Sequence, residues 1–216
     1  MSDLQRRIAL LPPSLEDFFR HMLESIEEVY RKDKFKAFQY VLHAPPSGPI
    51  PLLVISYLDE EDPGFAFQAE RLFLSQMEVD SREDDMRRRL DGRTRGLLEA
   101  SARRHGSDVP TVDFLHRTAR DFCLTRDMRV MLKEHLDPGF APNQCLATGF
   151  LAQVKLGPIP SGHALAIDPF ETVFHYAHEL ELKDDRRSIA IARDWRRLPP
   201  NHHPTGLTRS AQMGPS

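Results

Sequence analysis

His116 has the residue type and the position that most invite a chemical interpretation. It lies in FLHRTARDFC, residues 114–123, where an apolar stretch meets a charged one. Imidazole can pack or cap in a folded protein, bind a metal ion, or donate a hydrogen bond to an anion. The residues alone therefore leave three interpretations open: a packing or capping residue, a metal ligand, and a sensor of an anionic group. The first is the commonest role of a histidine at such a junction.

A second group of residues raises the question of a metal site. In HYAHELEL, His175 and His178 are three residues apart and Glu179 follows, so both imidazoles would lie on one face of a helix. A zincin requires H-E-x-x-H, and Leu182 stands where its second histidine would be. Because no third ligand is evident, a partly exposed helix face is the favoured interpretation. A metal-dependent enzyme that uses His175, His178 and Glu179 stays an alternative.

The common motifs for binding phosphates or activating a nucleophile are missing. The sequence has no G-x-x-x-x-G-K-[ST], no G-x-G-x-x-G after a strand and no G-x-S-x-G. GPIPSGHA has spaced glycines, but its prolines lack the N–H donors of a phosphate loop. Cys123 and Cys145 have no C-x-x-C partner, which favours buried structural thiols. We therefore expect no enzyme activity, no metal and no cofactor for this chain alone.

The charge balance restricts the partners that the chain can bind. Its 216 residues include 29 basic and 32 acidic ones, for a formal net charge of −3. A nucleic-acid binder normally shows a clear basic excess, so nucleic acid is not an expected partner. The run SREDDMRRRLDGRTR mixes both signs and can form ion pairs three or four residues apart. This pattern favours a solvated helix face.

The sequence also gives an expected location. No apolar run approaches the roughly 18 residues that a membrane span needs. Residues 1–18 lack the apolar core of a signal peptide. Two cysteines in a chain of this length do not suggest a disulfide framework. We therefore expect a cytoplasmic protein that does not bind membranes.

Helical spacing dominates the first half of the chain. Ser14 and Asp17 form a capping signature at the start of SLEDFFRHMLESIEEVY, whose apolar residues recur at helical spacing. A second helix, DKFKAFQYVLHA, ends at two prolines. IPLLVISYLDE fits a strand or a helix opened by Pro51, and its helical neighbours favour the helix. Ser81 and Asp84 form a second capping signature, which predicts that a charged helix starts there.

The second half of the chain predicts one hairpin followed by more helices. GLLEA and PTVDFLH are short apolar runs separated by turn-forming residues, and helices follow with a break near Thr125. The predicted fold class is mainly α: a helical bundle with a winged-helix-like unit that carries one short β-hairpin. We assign a winged-helix-like domain to residues 10–135, a helical extension to 136–198 and a disordered tail to 199–216, which is polar and rich in proline and glycine.

Four segments carry a resemblance to a known family. They are LPPSLEDFFRHMLESIEEVYR, PLLVISYLDEEDPGFAF, DDMRRRLDGRTRGLLEA and VDFLHRTARDFC. In this order and spacing they resemble the segment that follows the NACHT nucleotide-binding domain in fungal NOD-like receptors of the STAND class. The resemblance is close over about residues 10–135 and looser over 136–198. Ala119 and Cys123 are smaller than the valine and leucine usual in that family, but they remain apolar.

The resemblance implies a role for His116. In related STAND proteins the winged-helix domain supplies a histidine that contacts the β-phosphate of bound ADP and helps to hold the closed, inactive state. His116 occupies the matching position, which implies a nucleotide-phosphate sensor that works only with a NACHT domain. ADP or ATP would therefore be a cofactor only if another chain supplied that domain.

The resemblance also implies what kind of protein this is. The NACHT domain would precede residue 10, and only nine residues stand before it, so we expect a shortened form or a fragment. The implied function is a non-catalytic regulatory or interaction module. Its expected partner is a NACHT domain or another protein. A winged-helix DNA binder stays a further alternative, because such a fold can place a helix in the major groove.

Overall fold

The computed structural model describes residues 14–25, 31–60, 62, 65–69, 73–101, 109–158 and 169–181. The predicted tail 199–216 and the end of the predicted extension lie outside these residues. The elements, in chain order, are α1 (Leu15–Glu24), α2 (Arg31–Leu42), β1 (Ile50–Pro51), α3 (Leu52–Leu58), α4 (Phe65–Gln68), α5 (Gln76–Thr94), β2 (Leu98–Ala100), β3 (Thr111–Phe114), α6 (Arg117–Cys123), α7 (Arg126–Glu134), α8 (Pro142–Leu156) and α9 (Pro169–Glu181).

The three strands form one small antiparallel sheet in the order β1-β3-β2. The predicted hairpin is confirmed: β2 pairs with β3, with Leu98 opposite Phe114. β1 was not predicted as a strand, because two residues are too short to show an alternating pattern. Pro51 is tolerated there because β1 lies at the edge of the sheet, where a missing N–H removes no ladder bond. The predicted mainly α fold class with one short hairpin is therefore confirmed, with a third strand added.

Two serines cap the helices that they precede. The prediction at Ser14 is confirmed: its Oγ accepts a hydrogen bond from the backbone N–H of Asp17 at 3.0 Å. The predicted start of the charged helix at Ser81 is wrong, since α5 begins at Gln76 after the capping residue Ser75. Ser75 and Glu78 satisfy each other's backbone N–H groups. The Glu78 carboxylate accepts hydrogen bonds from the hydroxyl group and from the N–H of Ser75, and these two bonds lower the pKa of Glu78. Ser75 is followed three residues later by Glu78, as the capping box requires, whereas Ser81 is followed by Asp84, so the earlier serine is the cap.

Helix α8 is buried along most of its length and contacts α2, α3, α4 and α9. The hydrophobic core around it extends from Phe19 in α1 to Ala177 in α9. The described helices on both sides of residue 135 therefore share one core, while the division of roles between 10–135 and 136–198 stays a prediction. Within the described residues, no helix combines the length and apolar character needed to cross a membrane.

Gly149 allows α3 and α8 to approach closely. A Cβ atom at Gly149 would lie 2.9 Å from Cδ2 of Leu58 and 3.1 Å from Cγ1 of Val54. Both distances are shorter than an ordinary van der Waals contact. The end of the Leu58 side chain can move aside, but Val54 is fully buried, so a larger residue at this position must displace Val54 or shift the two helices slightly apart.

The packing at Gly149 can be tested against a second helical glycine. Gly92 lies in α5, and a Cβ there would have no atom within 4 Å. Both Gly→Ala changes gain the same helix propensity, so their difference measures the packing term. We expect G149A to be less stable than G92A by about 1–3 kcal/mol in urea unfolding. Equal stabilities of the two variants would show that the contact at Gly149 is not tight.

Candidate functional site

His116 is the N-cap of α6. Its backbone is extended, and its Nδ1 accepts a hydrogen bond from the backbone N–H of Thr118 at 3.2 Å. A backbone N–H can only donate, so Nδ1 carries no proton and the neutral ring has its proton on Nε2. The side chain is exposed. The sequence interpretation of a capping residue is confirmed, and Nε2–H remains as a donor that the cap does not use.

Exposed apolar and basic side chains lie next to His116 and along α6. Leu115 before it and Leu124 at the end of α6 are 56% and 41% exposed. Arg117 and Arg120 are exposed on α6 itself, and Arg117 lies 3.6 Å from Asp121. We call Leu115, His116, Arg117, Arg120 and Leu124 the His116 surface.

The predicted metal ligands do not gather into a site. His175, His178 and Glu179 all lie on α9, where His178 is exposed and the ring of His175 packs edge-on against Tyr176. Among the residues that the structure describes, no three His, Cys, Asp or Glu side chains are grouped so that they could hold a metal ion. The metal-site hypothesis therefore gains no support from this arrangement.

The two cysteines have different surroundings. Cys123 is fully buried, and burial raises its pKa to about 12, so the thiol stays protonated near neutral pH. The prediction of a buried structural thiol is thus confirmed for Cys123. Cys145 is only half-buried and forms a hydrogen bond with Tyr40. Burial raises the pKa of Tyr40, which keeps its hydroxyl group neutral.

Cys145 and Tyr40 line a cleft that the sequence did not predict. It has a volume of about 830 Å³ and lies between α2, the end of α3, α4, α5, α8 and residues 137–141. Two aromatic pairs form part of its wall: Tyr57 with Phe65, at 6.1 Å between ring centroids, and Tyr40 with Phe140, at 5.7 Å. We call it the α8 cleft. Its size is within the range of small-ligand sites in proteins.

An ionic network joins α5 to the end of α3 at the rim of the α8 cleft. Asp59 accepts hydrogen bonds from Arg89, at 2.8 Å, and from Arg93. The Arg93 guanidinium also lies 3.4 Å from a carboxylate oxygen of Asp33 in α2. The hydrogen bond with Asp59 raises the pKa of Arg89 further, so this cation persists at every physiological pH. One carboxylate thus holds two helices together.

The other arginines of α5 are also bonded within the chain. Arg82 donates to Ser56 Oγ at 2.8 Å and pairs with Glu60, while Arg87 donates to the carbonyl oxygen of Ala100 at 2.6 Å. Arg88 and Asp85 form a pair of the predicted kind, three residues apart on an exposed face of α5. Arg82, Arg87, Arg89 and Arg93 also reach acceptors outside α5, which the sequence did not predict.

A signal for this network was present in the sequence. Positions 82, 89 and 93 are seven and four residues apart, which places three arginines on one face of a helix. The acidic run LDEED ends the apolar segment of α3 and supplies Asp59 and Glu60. The arginines and the acidic run have opposite charges and could therefore form ion pairs. Only the packing of α3 on α5 in the structure shows that they are in contact.

These features define a mainly helical protein with a small three-stranded antiparallel sheet, and a family comparison makes the assignment more specific. The family described as a domain of unknown function (DUF7791) matches residues 25–163. Because this match covers more than half of the 216 residues, the chain belongs to the DUF7791 family. No curated protein and no solved structure matches the chain. The matched range contains His116 and the whole described lining of the α8 cleft, but neither α1 nor α9.

The capping role of His116 predicts a difference between two substitutions. Asparagine can accept the Thr118 N–H bond from the N-cap position, whereas alanine cannot. We expect His116→Ala to lower the free energy of unfolding by about 1 kcal/mol and His116→Asn to change it by less than about 0.5 kcal/mol. Urea denaturation followed by circular dichroism measures both. If the alanine variant is as stable as the wild type, the cap contributes nothing.

The network at Asp59 predicts a contrast with an exposed pair. The side chains of Asp59 and Asp85 are 15% and 53% exposed, and Asp59 holds two arginines where Asp85 holds one. We expect Asp59→Asn to destabilise the protein by about 1.5–3 kcal/mol, and Asp85→Asn by less than about 0.5 kcal/mol. Thermal and urea unfolding of both variants give the comparison. A similar loss for both would mean that burial adds nothing at Asp59.

Proposed function

We propose that the chain is a non-catalytic regulatory or interaction module of the kind that follows the NACHT domain in fungal STAND receptors. In this proposal the module packs against a nucleotide-binding NACHT domain. The order of elements from α2 to β3, in which helices alternate with a small sheet, supports a winged-helix-like unit. The motif series in the sequence supports the family resemblance.

The observation that carries the proposal is the state of His116. Its Nδ1 is engaged by the cap, so the exposed ring presents Nε2–H to whatever docks on the His116 surface. A phosphate oxygen is a suitable acceptor for this donor, and Arg117 and Arg120 add positive charge nearby. The capping bond also fixes the orientation of the ring before any partner arrives, which lowers the entropic cost of the contact.

A contact of this kind regulates by shifting an equilibrium. The chain has no phosphate loop, so the docking domain must hold the nucleotide. The histidine–phosphate bond would then exist only in the docked state that contains ADP. A bond present in one state stabilises that state alone, so ADP strengthens docking and docking strengthens ADP binding by the same factor.

The two alternatives have less support. A winged-helix DNA binder needs free cations on the helix that enters the groove, yet every arginine of α5 is bonded to an acceptor within the chain. A metal-dependent enzyme needs a third ligand for His175 and His178, and the described residues supply none. Retention on DNA at low salt, or one equivalent of bound zinc after purification, would revive these alternatives.

The docking proposal is tested by measuring binding to a separately purified NACHT domain with and without ADP. We expect ADP to strengthen binding. In the presence of ADP, His116→Asn should weaken the affinity for the NACHT domain about tenfold, because a hydrogen bond to a charged acceptor contributes about 1.5 kcal/mol or more. Isothermal titration calorimetry measures both affinities. His116→Asn keeps the cap, and its shorter side chain cannot place an amide donor where Nε2 lies, so its effect reports a donor at that position and not the stability of α6.

A matched control is His178→Asn, which changes an exposed histidine on α9. It should leave both the affinity and its ADP dependence unchanged. Binding that does not depend on ADP, or that responds equally to the His116 and His178 variants, would overturn the sensor role. Failure to bind any NACHT domain tried would overturn the docking role itself.

A further inference from the structure

We infer that the α8 cleft binds a ligand in which an ammonium or guanidinium group adjoins an aromatic or apolar body. Such a ligand is either a small arylalkyl amine or a basic and apolar pair of side chains from a peptide. His116 is not among the residues that line the cleft, so this site is independent of the docking proposed above. The evidence comes from the charge, the aromatic walls and one buried hydroxyl group.

The charge of the lining favours a cation. The cleft is lined by five carboxylate residues and three basic ones: Asp33, Asp59, Glu60, Asp62 and Asp137 against Lys36, Arg89 and Arg93. Two of the three bases, Arg89 and Arg93, already bind Asp59. Glu60 is also paired with Arg82, which lies just outside the lining. Five carboxylates thus face four cations, and a partly enclosed site with this net negative charge attracts cations more strongly than bulk water does.

The aromatic walls favour the same class of ligand. A cation near the face of an aromatic ring is stabilised by the ring's quadrupole, and the apolar body of the ligand buries its surface against the other rings. The chain already contains one such contact beside the cleft, where the Arg82 guanidinium lies 4.8 Å from the centre of the Tyr57 ring. Burial raises the pKa of Tyr57, so its ring remains a neutral phenol.

The hydroxyl group of Tyr57 supplies a third, independent indication. The Tyr57 side chain lines the cleft, and its hydroxyl oxygen is buried just behind that wall. Among the described residues it has no hydrogen-bond partner. Buried polar groups are nearly always paired in folded proteins, so an isolated hydroxyl beside a cavity points to an additional donor or acceptor. An ammonium group of a ligand bound next to Tyr57 would provide the donor.

Lys36 offers a way to change the charge of the cleft without breaking a contact. It is half-buried in the lining, and no hydrogen bond or ion pair of this side chain is found among the described residues. Lys36→Gln removes one positive charge that opposes a cationic ligand. We expect it to tighten cation binding by about three- to tenfold, from the Coulomb energy of unit charges several ångströms apart at an intermediate dielectric constant.

Gly139 offers a way to block the cleft. It lines the cleft, and a Cβ added there would have no atom within 4 Å, so a large side chain is accommodated at the mouth. Gly139→Trp should abolish binding, whereas Gly139→Ala should leave it within about twofold of the wild type. Unchanged circular dichroism spectra and melting temperatures would show that both variants fold.

The experiment titrates the full chain with two ligands of similar shape and opposite charge, phenethylamine and 3-phenylpropionate. Two-dimensional NMR and calorimetry follow binding. We expect saturable binding of phenethylamine with a dissociation constant on the order of 1 mM or tighter, as its few heavy atoms allow. The wild-type chain should bind 3-phenylpropionate at least tenfold more weakly. The Lys36→Gln variant should bind phenethylamine more tightly than the wild type, and the Gly139→Trp variant should not bind it.

The thiol of Cys145 provides a local readout of the same event. It lines the cleft and is half-exposed, whereas the thiol of Cys123 is fully buried. Bound amine should slow alkylation of Cys145 by iodoacetamide, and Gly139→Trp should remove this protection. Alkylation of Cys123 should stay slow in all samples. Protection that persists in the Gly139→Trp variant would place the ligand elsewhere and overturn the assignment.

A peptide arm distinguishes the two sources of ligand. N-acetyl-Lys-Phe-amide is compared with N-acetyl-Glu-Phe-amide by the same titration. Tighter binding of the lysine peptide than of phenethylamine assigns the cleft to a protein segment, and weaker binding assigns it to a small amine. The proposal would be overturned if 3-phenylpropionate and the glutamate peptide bound more strongly than phenethylamine and the lysine peptide. It would also be overturned if none of these four ligands showed saturable binding.

Discussion

The close approach of α3 to α8 at Gly149 determines where most of the other elements can lie. It brings the end of α3, and hence Asp59, towards α5, where two arginines bind the carboxylate. On the other side, the buried ammonium group of Lys155 in α8 donates to the carbonyl oxygens of Ala66 and Phe67, at 2.8 and 3.3 Å. These bonds offset the cost of burying a lysine and tie α4 to α8. The α8 cleft is the space left between elements that are held in this way.

Local signals were sufficient to predict the elements that depend on neighbouring residues. The cap at Ser14, the hairpin and the position of His116 before a helix all follow from patterns a few residues long. β1 could not be predicted because its strand character comes from pairing with Thr111 and Val112, far along the chain. The α8 cleft was missed for a similar reason. Its lining comes from several helices, so no single stretch of sequence has its composition.

The family match divides the molecule into a central part and two attached helices. His116 and the α8 cleft lie within residues 25–163, whereas α1 and α9 lie outside that range. α1 is attached by the buried Lys34, which donates to the carbonyl oxygen of Leu23 at 2.5 Å. α9 is attached by the Tyr176 hydroxyl, which donates to the carbonyl oxygen of His43 at 2.7 Å. Each flanking helix thus contributes to the common core and also shares a specific hydrogen bond with the central part.

The sharing of Asp59 by Arg89 and Arg93 has a consequence for the evolution of the family. A change at Asp59 leaves two cations without their partner at once, so the three positions are constrained to vary together. The exposed pair of Asp85 and Arg88, three residues apart on the same helix, carries no such constraint and can drift independently. In DUF7791 sequences we therefore expect residue 59 to covary with residues 89 and 93. The arginine at position 88 of the same helix, α5, should vary independently of them.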